Sequence, residues 1–349
     1  MNYKFEDIIY NITEKRKPTE EDRLNYIGLE HLDSDSLFVR RWGSDRTPDG
    51  EKIIIKKGDV LFGKRRAYQR KVAISPIDGI FSAHGMVLRP KENVITKEFL
   101  PFFISSDAFL NEAIRISVGG LSPTINWKDI KELVFNLPPI SKQKELATKL
   151  WAAYEVKQSY VKMIEAVDEL VQARFLQMFS SCVKQELRDC FVVEKGSVIT
   201  REQAQGGDVP VVAGGQEPSC FHNVANREAN VVTISASGAY AGFVNFWDVP
   251  IFASDCNTVI PRNAEEYNPL FLYKGLLAMQ KEIYALQKGG AQPHVYGKDI
   301  EKILFPHPDK KDQDSYVAFA QKADSSKTEL QKSIEAIDRV IKSIVNENL

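Results

Sequence analysis

A stretch of 60 residues, Gly119 to Met178, occurs twice in this chain. Its second copy runs from Gly289 to Asn348 without a gap, at a constant offset of 170 (289 − 119 = 338 − 168 = 170). Sixteen of the 60 aligned pairs are identical, where unrelated sequence of ordinary composition would give ~3 or 4. The two copies therefore descend from one unit, and any fold must accommodate it twice. Each copy opens with a glycine pair and a proline (Gly119, Gly120, Pro123; Gly289, Gly290, Pro293). Each continues through Lys128-Asp129-Ile130 or Lys298-Asp299-Ile300, then Phe135, Pro138 and Gln143 or Phe305, Pro308 and Gln313. Each closes on Ile164-Glu165-Ala166-Val167-Asp168 or Ile334-Glu335-Ala336-Ile337-Asp338.

The later part of each copy reads as a long helix with a seam. Alternate steps of four and three from Leu146 reach Leu150, Ala153, Lys157, Tyr160, Ile164, Val167, Val171, Arg174 and Met178. The same steps from Tyr316 reach Ala320, Ala323, Lys327, Leu330, Ile334, Ile337, Ile341, Ile344 and Asn348. One polar residue interrupts both seams at the same place, Lys157 and Lys327, as a residue that sets the alignment of two helices would. A helix over 142–178 would be roughly 55 Å long, and with a bare apolar stripe it would not be stable alone in water. The 3.5-residue spacing favours the second long helix as its partner. Two amphipathic helices, each lying on its own domain, are the alternative.

The chain has 349 residues, enough for two domains with their own cores. The reading divides it into a first globular domain over 1–138, a long helix in 139–180, a second globular domain over 181–308 and a second long helix in 309–349. Strands are expected in the first domain at Lys52–Ile55, Val60–Phe62, Lys71–Ile74 and Met86–Leu88, and one helix from about Thr96, its N-cap, to Ile116. In the second they are expected at Val209–Ala213, Val231–Ser235, Ala241–Phe246 and Thr258–Ile260, with one helix from about Asn268 to Leu286. A fainter match extends the duplication upstream, since Ala67-Tyr68 aligns with Ala239-Tyr240 at an offset of 172. The expected class is α+β.

Several functions are disfavoured. No apolar run is long enough to cross a bilayer, and the first ten residues lack a signal peptide's apolar stretch. The four cysteines (Cys182, Cys190, Cys220, Cys256) and five histidines show neither disulfide nor metal-ligand spacing, which reads as reduced thiols in the cytoplasm. The sequence contains no phosphate-binding loop, nucleophile elbow or zinc-protease motif, and Leu137-Pro138-Pro139-Ile140 is not an amino-methyltransferase motif. No catalytic residue and no metal ligand is assigned. The glycine pairs Gly206-Gly207 and Gly214-Gly215 read as turns.

Net charge is −1, which argues against nonspecific nucleic-acid binding. Local charge differs: between Arg40 and Lys71 there are 11 basic and 4 acidic residues (11 − 4 = +7). Such a concentration fits a face for phosphates, with a solvated rim as the alternative.

Together, the two divergent domains, the Gly-Gly-x-x-Pro segments, the run Asn136-Leu137-Pro138-Pro139-Ile140-Ser141-Lys142-Gln143 and the segment Gly58-Asp59-Val60-Leu61-Phe62-Gly63-Lys64-Arg65-Arg66-Ala67-Tyr68 closely resemble the DNA specificity subunit of Type I restriction-modification systems. The likeness covers essentially the whole chain, and departs at Pro306-His307-Pro308-Asp309, where apolar residues are lost ahead of the second helix. It implies two target recognition domains, each followed by a long helix, with the helices packed as an antiparallel coiled coil. Each domain would read one half of a split double-stranded DNA target, with the halves roughly one to two turns of B-DNA apart. The partners implied are two methyltransferase subunits and motor-nuclease subunits. S-adenosylmethionine and the extrusion of the target adenine would belong to the methyltransferase, so the chain itself takes no cofactor. Two other readings fit the same residues: the specificity chain of a system whose nuclease and methylase share one partner, and a free-standing DNA-binding regulator.

For DNA contact in the first domain the residue types single out Lys64, Arg65, Arg66, Tyr68 and Arg70. Arginine can pair bidentately with guanine, lysine can hold phosphate and tyrosine can stack. In the second domain the matching stretch contributes Ser235, Ser237 and Tyr240, to which Arg201, Arg227, Gln292 and His294 are added. Asn126, Trp127 and Tyr296 read instead as packing residues where each domain meets its helix.

Overall fold

In the computed structural model, which describes residues 1–34, 36–290 and 292–349, the chain is α+β and divides into two compact units. One comprises Met1–Val161 with Lys332–Leu349, the other Lys162–Gln331. Each unit thus contains a globular part and a stretch of both long helices, Ile140–Phe179 (40 residues) and Lys310–Asn346 (37 residues). The second helix begins at the position equivalent to the start of the first (140 + 170 = 310), so the polar run 307–309 does not displace it.

In the first unit a four-stranded sheet has the order Ile9–Ile12, Met86–Pro90, Val60–Phe62, Val72–Ile74, antiparallel throughout. A second sheet orders Lys15–Arg16, Lys52–Ile55, Gly79–Phe81 and Tyr26–Ile27. The second unit repeats the first sheet with the same strand order: Phe191–Lys195, Cys256–Pro261, Val231–Ser235, Val244–Trp247. Its other sheet has three strands, Cys220–His222, Val209–Val212 and Phe252–Ala253. Near each long helix a two-stranded ribbon joins the start of the globular part to its end, Asn2–Lys4 with Val134–Asn136 and Lys184–Glu186 with Leu304–Pro306.

Two helices expected as single pieces are each broken. The first is Leu100–Ser105 and Asp107–Arg115. Ser106 between them is extended, and its hydroxyl accepts from Phe109 N at 3.1 Å, so it caps the second piece, while Thr96 caps only the turn that precedes the first. A serine side chain competes well for these free N–H groups, which periodicity of the apolar residues cannot register. The other is Pro269–Ala278 and Gln280–Ala285, broken at Met279. Asn268 caps its start by accepting from Leu270 N. The strand expected from Ala241 begins later, at Val244, because residues up to Gly242 form a turn.

The duplicated glutamine fixes each junction of globular part and helix. Gln143 is fully buried; its Oε1 accepts from Thr96 N at 2.9 Å, and its Nε2 donates to Val94 O at 2.8 Å and Pro138 O at 2.9 Å. Gln313, also fully buried, accepts from Asn268 N at 2.9 Å and donates to Glu266 O at 2.9 Å and Pro308 O at 3.0 Å. One amide thus satisfies three backbone groups that burial would otherwise leave unpaired.

The seam is covered along most of both helices. In the first unit Leu146, Leu150 and Tyr154 are buried in one core with Val345 of the second long helix, against Phe5, Phe102 and Phe103. In the second unit Phe175 and Phe179 of the first long helix share a core with Tyr316, Val317 and Ala320 of the other, and the Tyr316 hydroxyl donates to Val171 O at 3.3 Å. The beginning of one helix therefore lies beside the end of the other, an antiparallel arrangement. At the end of the first helix the expected seam fails: Arg174 is exposed, and Phe175 and Phe179 are buried instead. There the covering surface is the globular core, where Phe175 and Phe179 meet Phe271, and steps of four follow a straight helix face better than a 3.5 repeat.

The two lysines of the seam find the two duplicated aspartates. Lys157, buried, donates to Asp338 at 2.7 Å within the first unit, and Lys327 donates to Asp168 within the second. These are the same pair in sequence terms, since Lys327 and Asp338 are the later copies of Lys157 and Asp168.

Replacing Gln143 by Ala leaves Thr96 N and two carbonyls without partners in a buried place. A loss of about 2–4 kcal/mol is expected in urea denaturation of the full chain; a change below about 1 kcal/mol would show that the clamp adds little.

Candidate nucleic-acid interface

The Gly-Gly-x-x-Pro segments form hairpins that prop the segments richest in candidate DNA contacts. In the first unit Val118 and Thr124 pair through two backbone bonds of 3.0 and 2.8 Å, with Gly119 turning at φ 116°. Against this hairpin lies the loop 63–71. Arg66 N donates to Pro123 O at 2.7 Å, and Ile125 N donates to Lys64 O at 3.0 Å. The loop closes on itself where Gly63 N donates to Lys71 O at 2.9 Å.

The second unit repeats this bond for bond. Lys288 and His294 pair at 2.9 and 2.8 Å, Gly238 N donates to Pro293 O at 3.0 Å, Val295 N donates to Ala236 O at 2.9 Å, and Ser235 N donates to Phe243 O at 3.0 Å. The hairpins are related by an offset of 170 and the loops by 172. One scaffold thus presents Lys64-Arg65-Arg66-Ala67-Tyr68 in one unit and Ala236-Ser237-Gly238-Ala239-Tyr240 in the other.

Within the first loop the candidates have different surroundings. Tyr68 is about half exposed (53%) and Arg66 is exposed. Arg65 is half-buried, with Nη1 3.4 Å from Nε2 of His84. Burial, then the Arg65 guanidinium and the Lys64 and Lys52 ammonium groups, hold the His84 imidazole below its usual value. The ring is therefore neutral at pH 7 and can accept from Arg65. Lys64 is also lowered, first by burial and then by Lys15. Arg70 points elsewhere: its guanidinium donates to Asp107 Oδ1 and Asn111 Oδ1, each at 2.7 Å. Asp107 also holds Lys342 at 2.8 Å.

In the second unit Tyr240 is about half exposed (46%), Gln292 and Arg201 are exposed, and His294 stacks on Tyr296 with ring centroids 6.1 Å apart. Ser237 donates to Asp255, and Gly214 lies so close to the loop that a Cβ there would sit 2.6 Å from Ser237 O. The Gly214-Gly215 turn is thus a close approach as well as a turn. Ser235 is buried within its strand. Arg227 is engaged on all sides: it donates to Thr258 Oγ1 at 3.0 Å, Asn226 O at 2.8 Å and Lys195 O at 3.4 Å, and pairs with Glu194 at 3.0 Å.

Of the residues read as packing, Trp127 does pack, on Phe5 at 5.9 Å, while Tyr296 is 46% exposed beside His294. Sequence reasoning missed His84, Asp107 and Asn111. Only their proximity to the loop distinguishes them, and no local motif announces it. Among the described residues no cluster of His, Cys, Asp and Glu could hold a metal ion, and no helix is long and apolar enough to cross a membrane.

A duplicated α+β protein, with paired helices and two equivalent, chemically different surface loops, has the form of a recognition scaffold. The chain belongs to the family of the Type I restriction modification DNA specificity domain, whose model matches residues 6–159 and again 181–338. It is 24% identical over 371 residues to the putative type I restriction enzyme MjaX specificity subunit of Methanocaldococcus jannaschii, covering 93% of this chain and 87% of that protein. It is also 25% identical over 126 residues to the type I restriction enzyme EcoDI specificity subunit of Escherichia coli, covering 35% of this chain and 28% of that one. In fold it is similar to the crystal structure of the type I restriction-modification S subunit from M. genitalium (TM-score 0.52, 17% identity, 99% of this chain and 95% of the other). It is similar too to a chain from a structure of type I R-M complex assembly (TM-score 0.58, 18% identity, 100% and 97%).

The Asp107 carboxyl lies below its ordinary value of 3.8, first through Lys342 and then through Arg70 and Asn346. A carboxylate with a depressed folded pKa stabilises above its unfolded pKa, and loses that contribution as pH falls through the folded one. Asp107→Asn should therefore cost about 1 kcal/mol at pH 7, solvent screening included. The gap to the parent protein should close as pH drops below 3.8; denaturation midpoints at several pH values would show it, and a gap that widens with acid would contradict it.

Proposed function

We propose that this chain is the sequence-reading, non-catalytic subunit of a restriction-modification complex. Each globular part reads one half of a two-part double-stranded DNA target, and the paired helices carry the surface on which methyltransferase subunits dock. The observation that supports it best is one hairpin-propped loop built twice with different side chains. A single-task protein has no use for two copies of a scaffold with divergent faces, whereas a reader of two unlike half-sites does. On this reading residues 1–138 and 181–308 are the target recognition domains, and 139–180 and 309–349 the helices between them.

Lys64, Arg65, Arg66 and Tyr68 are the proposed contacts in the first half, with Arg65 aimed by His84. Ser237, Tyr240, Gln292, His294 and Arg201 are proposed in the second. Arg70 and Ser235 hold the ends of their loops and Arg227 ties the strands Phe191–Lys195 and Cys256–Pro261, because their polar groups are already paired or buried in the chain. The first loop would hold phosphates and guanine edges through positive charge. The second, with hydroxyl, amide and aromatic groups, would depend more on fit to the groove and less on salt. Methyl transfer, S-adenosylmethionine and strand cleavage would belong to methyltransferase and motor-nuclease subunits.

Co-expressing the chain with a methyltransferase subunit and mapping methylated adenines should give a motif with two specified halves around an unspecified spacer. Exchanging residues 181–300 for those of a relative should alter one half and leave the other; alteration of both would show that the units do not read independently. Inserting four residues near Ala153 should lengthen the spacer or abolish assembly, and an unchanged spacer would contradict the helices' role as a ruler.

A further inference from the structure

The two loops share a backbone path that turns through left-handed conformation at two places. In the second unit both places are glycine, Gly238 at φ 82° and Gly242 at φ 88°. In the first unit the equivalent places, at the offset of 172, are Arg66 at φ 55° and Arg70 at φ 53°. They are two of the three non-glycine residues with positive φ among the described residues. An L side chain is disfavoured there, since its Cβ crowds the carbonyl oxygen, and glycine relieves the strain at no loss of backbone fit. The second unit shows that the loop closes with glycine at both places. Something must therefore offset the strain wherever arginine stands.

For Arg70 the offset is internal: bonds to Asp107 and Asn111 tie the end of the loop to the helix Asp107–Arg115. For Arg66 it is not. Among the described residues its side chain has one hydrogen bond, Nε to Ser122 Oγ at 3.2 Å, and that contact is exposed. At the matching Gly238 a Cβ would meet open space, so the direction this side chain takes is outward from the scaffold. A strained residue held without internal compensation marks a position kept for an external ligand.

We infer that Arg66 is the specificity-determining residue of the first unit, presented by a left-handed backbone to pair bidentately with a guanine in the half-site that unit reads. This rests on the DNA-reading function proposed above. The remaining guanidinium nitrogens form a fork matching guanine O6 and N7 in the major groove. Arg65 is a neighbouring contact aimed by His84 through Nη1, and Arg70 serves the fold.

The test uses the full chain assembled with its methyltransferase subunit. Arg66→Gly should leave the denaturation midpoint of the chain unchanged or raised, while Arg70→Gly lowers it. In the complex, Arg66→Gly should reduce discrimination at one G·C pair of the first half roughly ten- to hundredfold, with the second half unaffected. Arg66→Lys should lose the same discrimination while keeping the salt dependence of binding, because lysine keeps the charge but not the fork. A midpoint that falls with Arg66→Gly as far as with Arg70→Gly would overturn the inference. So would uniform weakening on all sequences with a shallower salt dependence, a methylated motif identical to the parent's, or a first half without a G·C pair. A parent complex that methylates no two-part motif would instead sink the proposed function itself.

Discussion

The pairing of Lys157 with Asp338 and of Lys327 with Asp168 is the constraint on which the architecture turns. A long helix with an apolar stripe needs a covering surface, and many alignments could cover it. A lysine in the seam reduces the choice, because its ammonium group must find an anion wherever it is drawn out of water. The aspartate lies 11 residues further along the same repeat (168 − 157 = 338 − 327 = 11), so an antiparallel partner meets both pairs at once. A parallel partner in equal alignment would set lysine against lysine. Duplication of one segment therefore supplied both the rod and the rule for aligning it.

Joining a globular part to such a rod raises a separate difficulty, since the chain must leave a core and enter a helix without stranding backbone groups. The buried amides of Gln143 and Gln313 solve it identically, each holding three backbone groups across the junction. The ribbons Asn2–Lys4 with Val134–Asn136 and Lys184–Glu186 with Leu304–Pro306 add a second tie nearby. Rigidity at that point matters for the loops beyond it, because a surface loop is only as well placed as the core behind it.

The hairpins extend the same economy to the surface. Gly119-Gly120 and Gly289-Gly290 are repeated because each hairpin props a loop through backbone groups, N–H of Arg66 or Gly238 on the carbonyl of Pro123 or Pro293. Backbone bonds leave the loop's side chains free to differ. Charge could accumulate in one loop and disappear from the other without rebuilding either domain, so one fold carries two chemically different faces.

Much of this was legible in the residues. The gapless repeat, the seam with its lysines, the strands Val60–Phe62 and Val231–Ser235 themselves, and the correspondence of Ala67-Tyr68 with Ala239-Tyr240 are all local or periodic signals, and periodicity survives in one dimension. Arg66, Arg70 and Arg227 look alike in sequence; only the folded chain separates the exposed Arg66 from Arg70 on Asp107 and Arg227 on Glu194. The burial of Phe175 in place of Arg174, and the approach of His84 to Arg65, likewise depend on which surface arrives from far along the chain. The sequence by itself determined the doubled architecture, because repetition and apolar spacing dictate which faces must be covered. Tertiary structure decided which polar groups remain available to a ligand, because the availability of a charged side chain is set by the partners that packing brings to it.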